Sequence, residues 1–210
     1  MRSIDVAGLV KLLRDADPAR RTIAAIAGAP GSGKSTLAEK LVDDLNAAQP
    51  GLAALLPMDG YHYDDLLLNQ WGIRARKGAP DTFDVGGFAQ MLKRLRSRDE
   101  AEVAVPVFDR AIEIARAGAR IIPASAAIIV AEGNYLLLQR APWAQLRALF
   151  DLTVMLDVPE DELRRRLTAR WQHYKLTPDD IAWKLDGNDL PNGRVVMHES
   201  AAADYRLVSA

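Results

Sequence analysis

Gly28-Ala29-Pro30-Gly31-Ser32-Gly33-Lys34-Ser35 decides the reading of this chain. It matches the phosphate-binding pattern G-x-x-x-x-G-K-[ST] in full. Glycines let the backbone turn tightly and aim N–H groups at phosphate oxygens, and the helix that follows adds its positive N-terminal end. Lys34 is placed to reach the β- and γ-phosphates, and the Ser35 hydroxyl to hold Mg²⁺. With Thr36, the first residue beyond the motif, these positions form the expected cradle for ATP.

The flanks of the motif agree with it. Thr22 to Ala27 (TIAAIA) is a short apolar run with the composition of a central parallel strand buried on both faces. Ser35 to Ala47 spaces Leu37, Leu41, Val42 and Leu45 along one helical face. Further apolar runs at Leu52–Met58, Ala126–Ala131 and Leu152–Asp157 read as strands. Helices are expected over Val85–Arg98, with Phe88, Met91, Leu92 and Leu95 inward, over Pro159–Gln172, and from Pro178. Residues 61–82 read as loop with one helix at most. Ala111–Ile122 reads as a hairpin turning at Ala117-Gly118, and Tyr205–Val208 as an edge strand. The pattern predicts an α/β fold of the P-loop NTPase kind. This is a three-layer sandwich with a mostly parallel five-stranded sheet, helices on both faces and a small β-hairpin near the acceptor. No repeat or linker divides residues 1–210, which are expected to form one domain.

Composition bounds the function. The 210 residues are 49% hydrophobic and 26% charged, enough for one sizeable core. Lys plus Arg is 27 against 28 Asp plus Glu, and this balance argues against a nucleic-acid binder. Cysteine is absent, which removes thiolate chemistry and Cys-type metal sites, and the three histidines are scattered. No stretch approaches the ~18 apolar residues of a membrane span. The N-terminus carries Asp5, Lys11, Arg14 and Asp15, so it reads as an amphipathic helix with Ile4, Leu9, Leu12 and Leu13 buried, not as a signal peptide. The expected location is the cytoplasm, without membrane insertion. A homodimer is compatible with the sequence.

Three more segments sit at expected strand ends. Asp59, after the second strand, is suited to take a proton from an acceptor hydroxyl or to hold a metal-bound water. Glu132, directly after an apolar strand, has the Walker-B position, where a carboxylate binds Mg²⁺ or polarises the attacking group. Either carboxylate is a candidate base. Arg164, Arg165, Arg166 and Arg170 crowd one helix. Arg166 and Arg170 share a face and are candidates for a mobile lid over the transferring phosphoryl group, whereas Arg164 and Arg165 read as a solvated face.

The P-loop together with Met58-Asp59-Gly60-Tyr61-His62, Arg76-Lys77-Gly78-Ala79-Pro80-Asp81-Thr82-Phe83-Asp84, Pro106-Val107-Phe108-Asp109-Arg110 and Glu132-Gly133-Asn134-Tyr135-Leu136 resembles the uridine kinase, phosphoribulokinase and bacterial pantothenate kinase family. The likeness runs from about Thr22 to the C-terminus. It is nearest to the small bacterial proteins described as fructose-transport-system kinases. It implies a kinase that uses ATP and Mg²⁺ to phosphorylate a small hydroxyl-bearing metabolite. By position it makes Asp59 the base, Glu132 the Walker-B-like acid, and Arg166 and Arg170 lid residues. It puts Tyr61, His62, Arg76, Lys77, Phe83, Asp109, Arg110 and Asn134 around the acceptor. Asn192, with Asn188 and Gly193, falls in a loop expected to border the adenine. Asp59-Gly60 is nearer to the pantothenate kinases than to the uridine kinases, yet the chain lacks the long N-terminal extension of the former. Two other readings stand beside this one. The first is a nucleotide switch or ATPase acting on a protein partner. The second is a nucleoside monophosphate kinase that would use Arg74, Arg76 and Lys77. No N-K-x-D guanine motif is present, which favours ATP over GTP.

Overall fold

The computed structural model describes residues 1–17 and 19–208. Its centre is β2 (Thr22–Gly28), in which Ile23 through Ala27 are all buried. β2 pairs in parallel with β6 (Ile128–Gly133) on one side and β7 (Leu152–Asp157) on the other. β3 (Ala53–Pro57) extends the sheet beyond β6, and β8 (Tyr205–Val208) extends it beyond β7. A two-residue strand, β1 (Arg2–Ser3), pairs in parallel with β8 at the far edge. The sheet therefore has six strands in the order β1-β8-β7-β2-β6-β3. The sequence suggested five, with Tyr205–Val208 at the edge. Two residues carry too little pattern to be read as a strand, and β1 takes that edge.

Helices cover both faces. α1 (Val6–Arg14) and α2 (Lys34–Ala48) pack on one, where Leu9, Leu13, Leu37, Leu41 and Leu45 meet Ile26, Val130 and Val154. Leu12, expected inside, is exposed, because Leu9 and Leu13 already complete the buried stripe of a short helix. α4 (Val85–Ser97) packs on the other face through Phe88, Leu92 and Leu95 against Ile23, Ile129 and Val103. Asp84 caps it by accepting from Gly87 N at 2.8 Å. Within residues 61–82 lie α3 (Asp65–Gln70) and two 3₁₀ turns.

α5 (Glu160–His173) begins with three acidic residues at its positive end. It joins α6 (Pro178–Lys184), a π-helical turn at Leu185–Asp189 and α7 (Leu190–Glu199) in a small separate cluster around Leu163, Leu167 and Leu185. β4 (Glu102–Asp109) and β5 (Ile114–Pro123) form an antiparallel hairpin apart from the main sheet. Its turn is residues 110–113, not Ala117-Gly118. Gly118, with φ +63°, lies instead in an irregularity where the register shifts between Val105 and Val107. The hairpin is moored to the sheet edge by Arg120 Nη1, which donates to Leu55 O at 3.1 Å.

Candidate active site

Parallel strands deliver their C-terminal ends to one crevice. Gly28 ends β2, and the loop that follows turns through Gly31 (φ +78°) and Gly33 (φ +90°) before α2 starts at Lys34. Those backbone angles favour glycine, and a Cβ on Gly31 would also meet the Leu167 side chain at 2.8 Å. Glu132 stands abreast of Ile26 and Pro57 near the end of β6. Asp59 follows β3 in a 3₁₀ turn, Met58–Tyr61. Three residues per turn bring Asp59 and His62 to one side and leave Tyr61 on another. Gly60 is needed for a different reason. A Cβ there would lie 2.4 Å from Pro106 O, so the β4 backbone rests directly on this turn.

A cavity of about 540 Å³ opens on these strand ends. It is lined by Pro30, Gly31, Gly33, Lys34, Ser35 and Thr36 of the cradle, by Asp59, His62, Lys77, Phe83, Arg110 and Asn134, and by Arg166, Arg170 and Asn192. Glu132 is buried beneath the cradle and accepts from Ser35 Oγ at 3.0 Å. Gly28, Ala29 and Ser32 do not line the cavity; Ala29 and Ser32 are buried, and Ser32 N donates to Ala29 O at 3.0 Å. Three residues expected around the acceptor fall outside the cavity. Tyr61 is buried with its ring edge-on to Phe88. Arg76 pairs with Asp81, and Asp109 with Arg116. Asn192 lies within α7 rather than in a loop, and its Nδ2 donates to Asn188 Oδ1 at 2.9 Å. Asn188 Nδ2 in turn donates to Lys77 O at 3.0 Å, so this pair braces the segment around Lys77.

The charges are coupled. Burial pushes the Lys34 ammonium below its ordinary pKa, and the Glu132 and Asp59 carboxylates oppose that. Burial raises Glu132, partly offset by Lys34. Burial acts against ionisation of Asp59 as well, but there the electrostatic influence of His62, Arg110 and Lys34 wins and holds it below the carboxylate range. Arg110 Nη2 donates to Asp59 Oδ2 at 2.5 Å. His62 Nδ1 lies 2.8 Å from Asp59 O, and its ring packs between Phe83 (4.0 Å) and Phe108 (4.7 Å). Burial keeps the His62 imidazole below its usual pKa.

The far wall is a clasp between the acceptor-side loop and the hairpin. Lys77 Nζ bonds Asp65 Oδ1 at 2.5 Å and Glu113 O at 2.6 Å, and Arg74 joins Asp65 to the Glu113 carboxylate. Tyr135 OH fixes the same loop by donating to Gly78 O at 2.6 Å. On the lid side, Arg166 reaches Ser32 O at 3.1 Å and Glu162 at 2.6 Å, while Arg170 lies over the Trp171 ring. Burial, and next the Arg110 charge, lower the Arg170 pKa. Arg74, offered by the sequence to the monophosphate-kinase reading, and Phe108 of the Pro106–Arg110 motif also line the cavity, and Glu113, Trp171, Tyr174, Trp183, Lys184 and Asp189 line it beyond the residues picked from the sequence. Of the four tryptophans, Trp143 is buried in the core, whereas Trp71 and Trp183 are 48% and 59% exposed.

Among the described residues, no three His, Asp or Glu side chains converge as a metal cage. Mg²⁺ does not require one, since it takes one or two protein groups and fills its shell with phosphate oxygens and water. The Ser35–Glu132 pair beside the cradle fits that demand.

Fold and site together define a P-loop kinase. The phosphoribulokinase/uridine kinase family model matches residues 23–170, and the chain belongs to that family. It is 34% identical to the uncharacterized protein YggC of Escherichia coli (strain K12), over 93% of this chain and 81% of that one. It is 32% identical to the "putative uridine kinase C227.14" of Schizosaccharomyces pombe, over 90% and 83%. The crystal structure of a "putative fructose transport system kinase" from Silicibacter sp. TM1040 superposes with a TM-score of 0.89 at 39% identity, covering 97% of this chain and 99% of that one. Among the described residues no helix is long and apolar enough to cross a membrane.

Proposed function

We propose that this protein transfers the γ-phosphoryl group of Mg·ATP to a hydroxyl of a small metabolite, such as a sugar like fructose, a nucleoside or a pantothenate-like alcohol. One observation carries the reading. Asp59 shares a buried electrostatic cluster with Lys34 and Glu132, at the point where the P-loop cavity continues into a chamber walled by His62, Phe83, Lys77 and Asn134. Asn134 Oδ1 is buried with no hydrogen-bond partner among the described residues, leaving an acceptor for a ligand donor.

In this account the backbone of Gly31–Ser35 and the Lys34 ammonium hold the β- and γ-phosphates. Ser35 and Glu132 would hold Mg²⁺, which would supply positive charge against the phosphates when bound. Asp59 takes the proton of the acceptor hydroxyl as its oxygen bonds the γ-phosphorus and ADP leaves. Arg166 and Arg170 face the charge that spreads over the equatorial oxygens. The clasp at Lys77 and Glu113 limits the entry of water from the far side.

The test is ADP release across a panel of sugars, nucleosides, pantothenate and vitamin precursors, in wild type and in Asp59→Asn. A compound that stimulates the wild type, and does so far less in the variant, supports the reading. Equal stimulation in both would remove Asp59 from the role of base.

A further inference from the structure

Arg110 stands at the start of the hairpin turn and reaches back across the cavity to Asp59. We infer that Arg110 is a latch on the candidate base: its guanidinium occupies Asp59 Oδ2 until an acceptor hydroxyl takes its place, which favours transfer to the acceptor over transfer to water. The inference rests on the phosphotransfer reading above.

Three observations support a removable contact over a structural one. First, the turn has other anchors. Lys77 Nζ holds Glu113 O at 2.6 Å, Arg74 reaches the Glu113 carboxylate at 3.5 Å, and Asp109 Oδ1 accepts from Ala111 N at 3.0 Å. Second, the pair is lopsided. The Asp59 side chain is 17% exposed and the Arg110 side chain 45%, so the departing cation is hydrated while the carboxylate it uncovers stays in place and calls for a new donor. Third, Arg110 is held from further directions than Asp59 alone. Its guanidinium already lies over the Phe108 ring at 5.7 Å, and its charge bears on Arg170 on the opposite, lid side. Two like charges directed into one cavity are best satisfied by an anion between them, and the transferring phosphoryl group is such an anion.

The chemistry follows from occupancy. A carboxylate paired with a guanidinium is a weaker base at both of its oxygens. An acceptor held by the chamber walls can displace the guanidinium through several contacts at once, whereas a single water cannot. In the leak reaction a water oxygen bonds the γ-phosphorus, the bond to the bridging oxygen of ADP breaks, and the water proton goes to Asp59. With the latch closed that route is slow. Arg110 is thus a positioning residue that sets the ratio of acceptor transfer to hydrolysis.

The experiment uses Mg·ATP with no acceptor and reads ADP release from the full chain. Arg110→Ala and Arg110→Gln are expected to raise the wild-type background about tenfold, a fraction of what a freed general base can contribute. Adding Asp59→Asn to either variant should bring the rate back to the background or below. If both neutral variants leave the background unchanged or lower it, while Lys34→Ala still abolishes it, the latch is overturned and the kinase reading survives. A background that Lys34→Ala does not touch arises outside this site and overturns the latch, and acceptor-stimulated ADP release that Lys34→Ala also leaves untouched overturns the kinase reading.

Discussion

Ser35 Oγ donates to Glu132 Oε2 across 3.0 Å, joining the first turn of α2 to the end of β6 beneath the phosphate cradle. This bond aligns a hydroxyl and a carboxylate that the chain supplies 97 residues apart. If the pair holds Mg²⁺, Glu132→Gln should raise the Mg²⁺ concentration for half-maximal ADP release by about tenfold or more. The check is a Mg²⁺ titration at fixed ATP. An unchanged midpoint would take Glu132 out of the metal shell.

Gly60 supports the hairpin by lacking a side chain. A Cβ there meets backbone, Pro106 O at 2.4 Å, which has no rotamer to yield. Gly60→Ala should cost about 1–3 kcal/mol of stability. Because the strain falls on the hairpin, acceptor-dependent turnover should drop while ATP affinity is kept. Urea denaturation and nucleotide titration read the two effects separately.

Tyr135 sends its hydroxyl to Gly78 O at 2.6 Å. Tyr135→Phe leaves that carbonyl without its donor, at a cost of about 1–3 kcal/mol. The affected loop carries Lys77, so the acceptor KM should rise and the ATP KM should hold. Steady-state kinetics with each substrate varied in turn would show whether the loss is confined to the acceptor.

The far end of the sheet governs pH stability through Asp151. Burial favours its neutral form, but hydrogen bonds from Arg96 (2.9 Å) and Ile23 N (2.9 Å), with the charges of Arg96 and Arg20, hold its pKa below the ordinary value. A carboxyl depressed on folding stabilises fully above its unfolded pKa of about 3.9, and that stability is lost as pH falls from there through the folded value. Asp151→Asn should therefore lower stability at neutral pH and flatten the acid limb. Urea midpoints of variant and wild type should differ by a constant amount down to about pH 4 and begin to converge only below it.

Much of this was readable in the chain because the strongest signals are local. A P-loop needs its glycines and its lysine in a fixed order, and buried parallel strands need unbroken apolar runs such as Thr22–Ala27 and Leu152–Asp157. Asp59 and Glu132 followed from their place at strand ends. Other features depend on contacts distant in sequence. Ala117-Gly118 has the look of a turn, yet the chain reverses at residues 110–113. There Glu113 adopts φ +52° and Lys77 binds its carbonyl. Tyr61 and His62 are neighbours with equal claims by composition, and the 3₁₀ turn sends them to opposite environments. Arg74 and Arg76 flank one short 3₁₀ turn, and the first joins the clasp while the second pairs with Asp81. No spacing rule distinguishes such pairs, since the partner that selects one of them lies in another element.

The central claim is that the γ-phosphoryl group goes to a carbon-borne hydroxyl with Asp59 taking the proton. The most direct measurement is a single turnover with γ-radiolabelled Mg·ATP and a stimulating compound from the panel, in wild type and Asp59→Asn. Label should move into a phosphoester of that compound, and the variant should slow the transfer by about 10²-fold or more. Label released only as inorganic phosphate, at one rate whichever compound is present, would contradict the account.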